Sequence, residues 1–112
     1  MEFIDRILTK EEILKLQKVH GDYIKLTVDL EKERMVAGGE LHADGEKVLL
    51  ERGSKQDNIW GGGLNFESKQ VDTTAVLNLR PRLGNDSLEI LDNQRRERFI
   101  QVVKKYFANL WL

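Results

Sequence analysis

The spacing of hydrophobic and polar residues changes period several times along the chain, and each change marks an element. Thr9-Lys10-Glu11-Glu12 has capping-box spacing, with a hydroxyl and a carboxylate three residues apart at a helix start. Apolar Ile13, Leu14, Leu16 and Val19 follow. Lys15 and Lys18 suit the negative end of the helix dipole, His20 falls at the same end, and Gly21 suits a left-handed closing position. The spacing predicts a helix over 10–19, preceded by a short leading strand around Phe3, Ile4, Ile7 and Leu8. From Tyr23 the period becomes two. Ile24, Leu26, Val28 and Leu30 alternate with Tyr23, Lys25, Thr27 and Asp29, which predicts a strand with one buried face. Glu31-Lys32-Glu33 then turns the chain into a second strand, expected to run from Arg34 to His42.

Asp44 is placed to cap a short helix over Glu46–Arg52, closed by Gly53. After a loop over residues 54–57, Asn58–Phe66 reads as a strand. Its run Gly61-Gly62-Gly63 marks a bulge or a place where another group approaches the backbone. A further strand is expected from Thr73 to Leu79, stopped by Pro81, and a loop over Arg82–Ser87 leads to the last helix. There Phe99, Ile100, Val103, Tyr106, Phe107 and Leu110 recur at spacings of three and four and form a broad apolar stripe. The order helix-strand-strand-helix-strand-strand-helix implies one α+β domain over residues 1–112. Its expected core is a largely antiparallel sheet of four or five strands packed against helices.

Composition narrows the functional classes. With a net charge of −1 there is no global field to attract nucleic acid or an anionic membrane. Arg80, Arg82, Arg95, Arg96 and Arg98 make a local nucleic-acid surface the third choice, offset by Glu89, Asp92 and Glu97. Without cysteine there is no disulfide framework, thiolate nucleophile or thiolate-bound metal. No apolar run approaches a membrane span, and the first residues lack the basic and apolar regions of a signal peptide, so no membrane role and a cytoplasmic location are expected.

The candidate chemistry gathers around Glu40, His42 and Asp44. On an extended strand Glu40 and His42 point the same way, and Asp44 follows at the helix start, with Glu51 and Asp57 nearby across the short helix. Such a group suits a divalent metal or acid–base chemistry. The second function is accordingly a metal-dependent hydrolase, a phosphodiesterase for example, with Arg80 stabilising developing negative charge. Asn78 and Arg80 share a face of the expected later strand and extend the polar site, and Gln56 joins the ligand-binding set from the loop. The plainer role for Arg80 is pairing with Glu40 or Asp29 across the sheet. Gly61-Gly62-Gly63 lacks the lysine and hydroxyl of a phosphate loop and the following helix of a dinucleotide site. No Ser-His-Asp arrangement can be assembled from His20 and His42. At the chain end Trp111 and Leu112 fold back on the core or, left uncovered, serve as a homodimer contact. The first choice of function is a binding domain for a small ligand or a protein segment, with its polar site at the end of the second main strand.

The stretches Val28-Asp29-Leu30-Glu31-Lys32-Glu33, Gly38-Gly39-Glu40-Leu41-His42-Ala43-Asp44, Leu49-Leu50-Glu51, Gly53-Ser54-Lys55-Gln56, Trp60-Gly61 and Asn78-Leu79-Arg80-Pro81 carry a resemblance. From about Tyr23 to Ser87 the chain resembles a family of small uncharacterised prokaryotic proteins catalogued as a domain of unknown function. The resemblance implies one compact domain and brings no reaction, cofactor or catalytic residue with it. The Gly61-Gly62-Gly63 run is richer in glycine than the family's usual pattern.

Overall fold

The computed structural model describes residues 1–112. Strand β1 (Glu2–Ile4) leads into helix α1 (Lys10–His20), then β2 (Tyr23–Asp29), β3 (Arg34–Ala37), α2 (His42–Glu51), β4 (Ile59–Asn65), β5 (Val71–Asp72) and α3 (Asn93–Tyr106). Short 3₁₀ turns cover Gln56–Asn58, Val76–Asn78, Pro81–Leu83 and Ala108–Trp111. The five strands form one antiparallel sheet in the order β1-β3-β2-β4-β5, an α+β fold.

Period-two alternation divides the sheet into two faces. Ile24, Leu26 and Val28 of β2 pack with Ile4, Met35, Trp60 and Leu64 beneath α1 and α3, which contribute Ile13, Leu16, Phe99 and Val103. Each such fully buried aliphatic or aromatic side chain contributes about 1.5–3 kcal/mol. The opposite face carries a smaller core of Val36, Leu49 and Ile59 beneath α2, joined by Phe3, Val48 and Leu77. Both faces of β2 are therefore covered. Thr27 and Asp29, expected on an open face, are buried. α2 comes near because Gly45 faces Thr27, where a Cβ would stand 2.6 Å from its Oγ1.

The capping box of α1 is complete: Thr9 Oγ1 accepts from Glu12 N–H, and the Glu12 carboxylate accepts from Thr9 N–H. The β2–β3 turn is built by buried Asp29. Its carboxylate accepts from the N–H groups of Glu31 and Lys32, each at 3.0 Å, and from the Ser54 hydroxyl at 2.6 Å.

Three expectations need correction. β3 stops at Ala37 rather than His42, because Gly38 and Gly39 take φ of +94° and +92° and swing the chain out of the sheet. α2 starts at His42, so Asp44 lies inside its first turn. Asp44 is not the cap itself; its carboxylate accepts from Leu41 N–H at 3.3 Å. Thr73–Leu79 is not a strand. The sheet ends with the two residues of β5, and the segment turns as 3₁₀ at Val76–Asn78.

Beyond β5, side chains close the outer edge of β4. The Asn78 carboxamide accepts from Gly61 N–H at 2.8 Å and donates to Gly61 C=O at 2.9 Å, as a neighbouring peptide group would. Two residues along, the Arg80 guanidinium donates to Ile59 C=O at 2.6 Å. Asn85 holds the same loop by donating to the carbonyls of Asn78, Ser87 and Glu89.

Candidate functional site

The end of β3 adjoins the most distinctive polar surface of the molecule. Gly38 and Gly39 turn the chain past His20 and Met1 on the α1 side of the sheet, and a Cβ on either glycine would meet those side chains at 2.7 Å and 3.0 Å. On the α2 side the Lys25 ammonium is hydrogen-bonded to Glu40 C=O, which fixes the connector to β2. His42, the first residue of α2, then lays its ring on β4. A Cβ on Gly61 would lie 2.9 Å from its Cδ2, and Nε2 is 2.7 Å from Gly62 C=O.

The glycine run is thus filled by the protein's own side chains. Gly61 receives His42, Gly62 receives Phe99 and the carbonyl of Asp72, and Gly63 receives the ring of Tyr23. Three flat backbone positions let a histidine and a tyrosine rest on adjacent stretches of one strand, roughly 7 Å apart at two residues' rise. The Tyr23 hydroxyl donates to Asp72 at 2.7 Å, and Lys25 lies directly across from Gly63 on β2.

A carbonyl can only accept, so Nε2 of His42 carries the proton toward Gly62, and neutral imidazole leaves Nδ1 as the acceptor. No buried side-chain nitrogen or oxygen lacks a partner, which places the unpartnered Nδ1 within reach of solvent. Burial, aided by the Lys25 cation, pushes the imidazole below its ordinary 6.5, against the Gly62 carbonyl and Asp72. Burial and then the Asp72 carboxylate hold the Tyr23 hydroxyl well above the usual tyrosine range. The arrangement is a neutral acceptor between a cation and a hydrogen-bonded acid, suited to holding a polar ligand.

The expected site residues are dispersed. Glu40 is exposed and contributes its carbonyl, while the Asp44 carboxylate is spent on Leu41 N–H. No three His, Asp or Glu side chains are arranged to share a cation, so Glu40, His42 and Asp44 do not form the expected metal set. Gln56, Glu51 and Asp57 lie at the far end of α2, about 15 Å along a ten-residue helix from His42. Asn78 and Arg80 do not share a strand face; both serve the edge of β4. Arg80 pairs with Glu46 at 3.1 Å rather than with Glu40 or Asp29, and its guanidinium lies 4.9 Å from the Trp60 ring centre.

The arginines of the expected nucleic-acid surface are each engaged within the chain, but not far apart: Arg95 and Arg98 line one cavity with Asp57 and Trp60, which Arg82 and Arg80 contact. Arg82 pairs with Asp57, Arg95 stacks on Trp60, Arg96 donates to Ile90 C=O, and Arg98 donates to Leu30 C=O. Trp111 lies in the closing 3₁₀ turn with Lys104 over its ring, while Leu112 remains exposed.

Every strand and all three helices fall within residues 2–106, which match the family model described as Protein of unknown function (DUF5674). The chain belongs to the DUF5674 family. No curated protein and no solved structure matches it. Membership therefore brings no reaction or ligand to this DUF5674 domain, and the geometry must carry the functional reading. No helix of the domain is long and apolar enough to cross a membrane. The sequence of this DUF5674 chain singles out His42 but not Tyr23, Lys25 or Asp72, which the fold places around it. The available signal was the antiparallel pairing of two adjacent elements, which sets the polar positions of β2 across from the glycine run.

Proposed function

We propose that this protein is a binding domain, folded as one unit over residues 1–112, that takes a small polar ligand beyond the end of β3. The surface is formed by Tyr23, Lys25, His42 and Asp72. The observation that carries the reading is the fixed orientation of His42: Nε2–H is committed to Gly62 C=O, and the Nδ1 acceptor is left for a donor on the ligand. Lys25 supplies a cation for an anionic group on the same ligand, and the hydrogen-bonded pair of Tyr23 and Asp72 flanks the surface at Gly63. The cytoplasm is the proposed location.

The test is a residue-resolved NMR titration of the full chain with acetate, inorganic phosphate and small hydroxy acids. Expected are saturable shifts centred on the His42 ring, Lys25 and the amides of Gly61–Gly63, lost in a folded His42→Ala variant. Shifts scattered over the surface, or unchanged by that substitution, would remove the site.

A further inference from the structure

We propose that the cleft between the start of α3 and the β2–β3 turn binds a small zwitterion of the amino-acid type, its carboxylate on Arg95 and its ammonium on Glu31 and Asp92. The inference is independent of the His42 site, because the cleft lies with Asp57 beyond the far end of α2. Its volume is about 740 Å³, a size that suits a small molecule. Only three of its ten lining residues are hydrophobic, so a polar occupant fits it better than an apolar one.

The fold uses the charged groups of the cleft to different degrees. Asp57 is spent, since both its carboxylate oxygens accept from Arg82, at 2.5 Å and 3.4 Å. Arg98 donates to Leu30 C=O at 3.1 Å and stands 3.7 Å from the Glu33 carboxylate. Arg95 differs from these. Its guanidinium makes no hydrogen bond and no ion pair, and it rests 4.9 Å from the centre of the Trp60 ring. Trp60 is fully buried and anchored through its Nε1–H, which donates to Asp57 C=O at 3.0 Å. A cation is thereby held on a fixed support with its N–H donors unspent. Such a planar fork matches the two oxygens of a carboxylate. Arg80 lies at the same distance from that ring but is committed to Glu46 and Ile59 C=O.

On the acidic side, Glu31 and Asp92 are each half used. Oε2 of Glu31 accepts from the Asn58 carboxamide at 2.6 Å, and Oδ2 of Asp92 accepts from Arg95 N–H at 2.9 Å as the cap of α3. Oε1 of Glu31 and Oδ1 of Asp92 have no hydrogen-bond partner. One cation and two carboxylate oxygens therefore stand open in the same cleft. A plain anion would meet both acids, and a plain cation would meet Arg95. A molecule that carries both signs is attracted by all three groups. No three acidic or histidine side chains are arranged to share a metal ion, which disfavours a metal as the occupant.

The test is a residue-resolved NMR titration of the full chain with a panel of α-amino acids, read at the Trp60 indole N–H and the Arg95 Nε–H. Acetate and methylammonium serve as the two separate halves, and inorganic phosphate as a plain anion. At least one amino acid should give saturable shifts there and bind about tenfold tighter or more than any of the three controls. Arg95→Gln should weaken that binding by about tenfold or more, because a charge-assisted pair is lost. Glu31→Gln keeps an acceptor for Asn58, and Asp92→Asn keeps a good helix cap, so each removes charge alone. Together they should reduce the amino acid to the affinity of acetate while acetate binds no worse. Circular dichroism checks that every variant is folded. The proposal is overturned if no amino acid gives saturable shifts at these groups, or if acetate or phosphate binds as tightly. It is equally overturned if the preference for the amino acid survives loss of both acids.

Discussion

Replacing Asn78 by Ala tests whether a side chain stands in for a missing strand. Asn78 is fully buried and its carboxamide makes four hydrogen bonds, to Gly61 N–H, Gly61 C=O, Thr73 C=O and Leu88 C=O. Two acceptors keep other partners after truncation, because Ile90 N–H donates to Thr73 C=O and Ala75 N–H to Leu88 C=O. The groups left without a partner are the N–H and C=O of Gly61. At about 1–3 kcal/mol for each buried orphan, the loss centres near 4 kcal/mol. Unfolding entropy of about 2.1 cal/mol/K per residue then predicts a fall in melting temperature of about 17 °C. Urea unfolding followed by circular dichroism gives the free energy, and a thermal scan gives the midpoint. Asn78→Asp sharpens the test, since a carboxylate has no proton to give Gly61 C=O. Its folded-state pKa must be raised, so its stability should be best below the unfolded value of about 3.9 and be lost as pH rises. A loss below about 1 kcal/mol for Asn78→Ala would show that the edge of β4 does not depend on this amide.

Three further substitutions probe other parts of the structure. In Gly62→Ala the new Cβ would stand 2.2 Å from Asp72 C=O and 2.7 Å from Phe99, so urea unfolding should show a loss of about 3 kcal/mol or more. Gly84→Ala, where nothing lies within 4 Å and φ is +76°, should lose only about 1–2 kcal/mol, and the reverse ranking would refute the packing argument. Arg80→Met breaks a largely buried pair with Glu46 and should cost roughly 3 kcal/mol, against about 0–1 kcal/mol for Arg82→Met at the exposed pair with Asp57. Equal urea midpoints for the two arginine variants would contradict this ranking. For His42 the folded-state pKa is depressed, so the unfolded chain takes the proton first. Its stabilisation is present above 6.5 and lost as pH falls below it. A pH series of unfolding free energies should show that slope in the wild type and lack it in His42→Gln.

The elements legible in the sequence were those with a local physical signature. The Thr9–Glu12 capping box, the alternation from Ile24 to Leu30 and the stripe from Phe99 to Phe107 each describe one element packing on one neighbour. What escaped depends on relations between distant residues. Thr73–Leu79 is rich in residues that suit a strand, but the Asn78 carboxamide, rather than a backbone ladder, takes the edge groups of Gly61. The extension of β3 to His42 discounted two consecutive glycines that both take positive φ. That error placed Glu40 beside His42 on a strand that does not exist. The alternative of a group approaching the backbone at the glycine run was correct, but the visitors belong to α2, α3, β2 and β5 of the same chain. Tyr23, Lys25 and Asp72 escaped because each is ordinary in its own segment and becomes notable only in the sheet register.

The closed edge at β4 also limits how far assembly can go. A sheet open at both sides can add molecules without end, which is the geometry of a fibre. Here Asn78 and Arg80 occupy the hydrogen-bonding groups of Gly61 and Ile59 that an incoming strand would need. Those two positions of β4 are therefore closed to strand addition. Loss of Asn78 would then do more than lower stability. It would leave the N–H and C=O of Gly61 open, the two groups an incoming strand would take there.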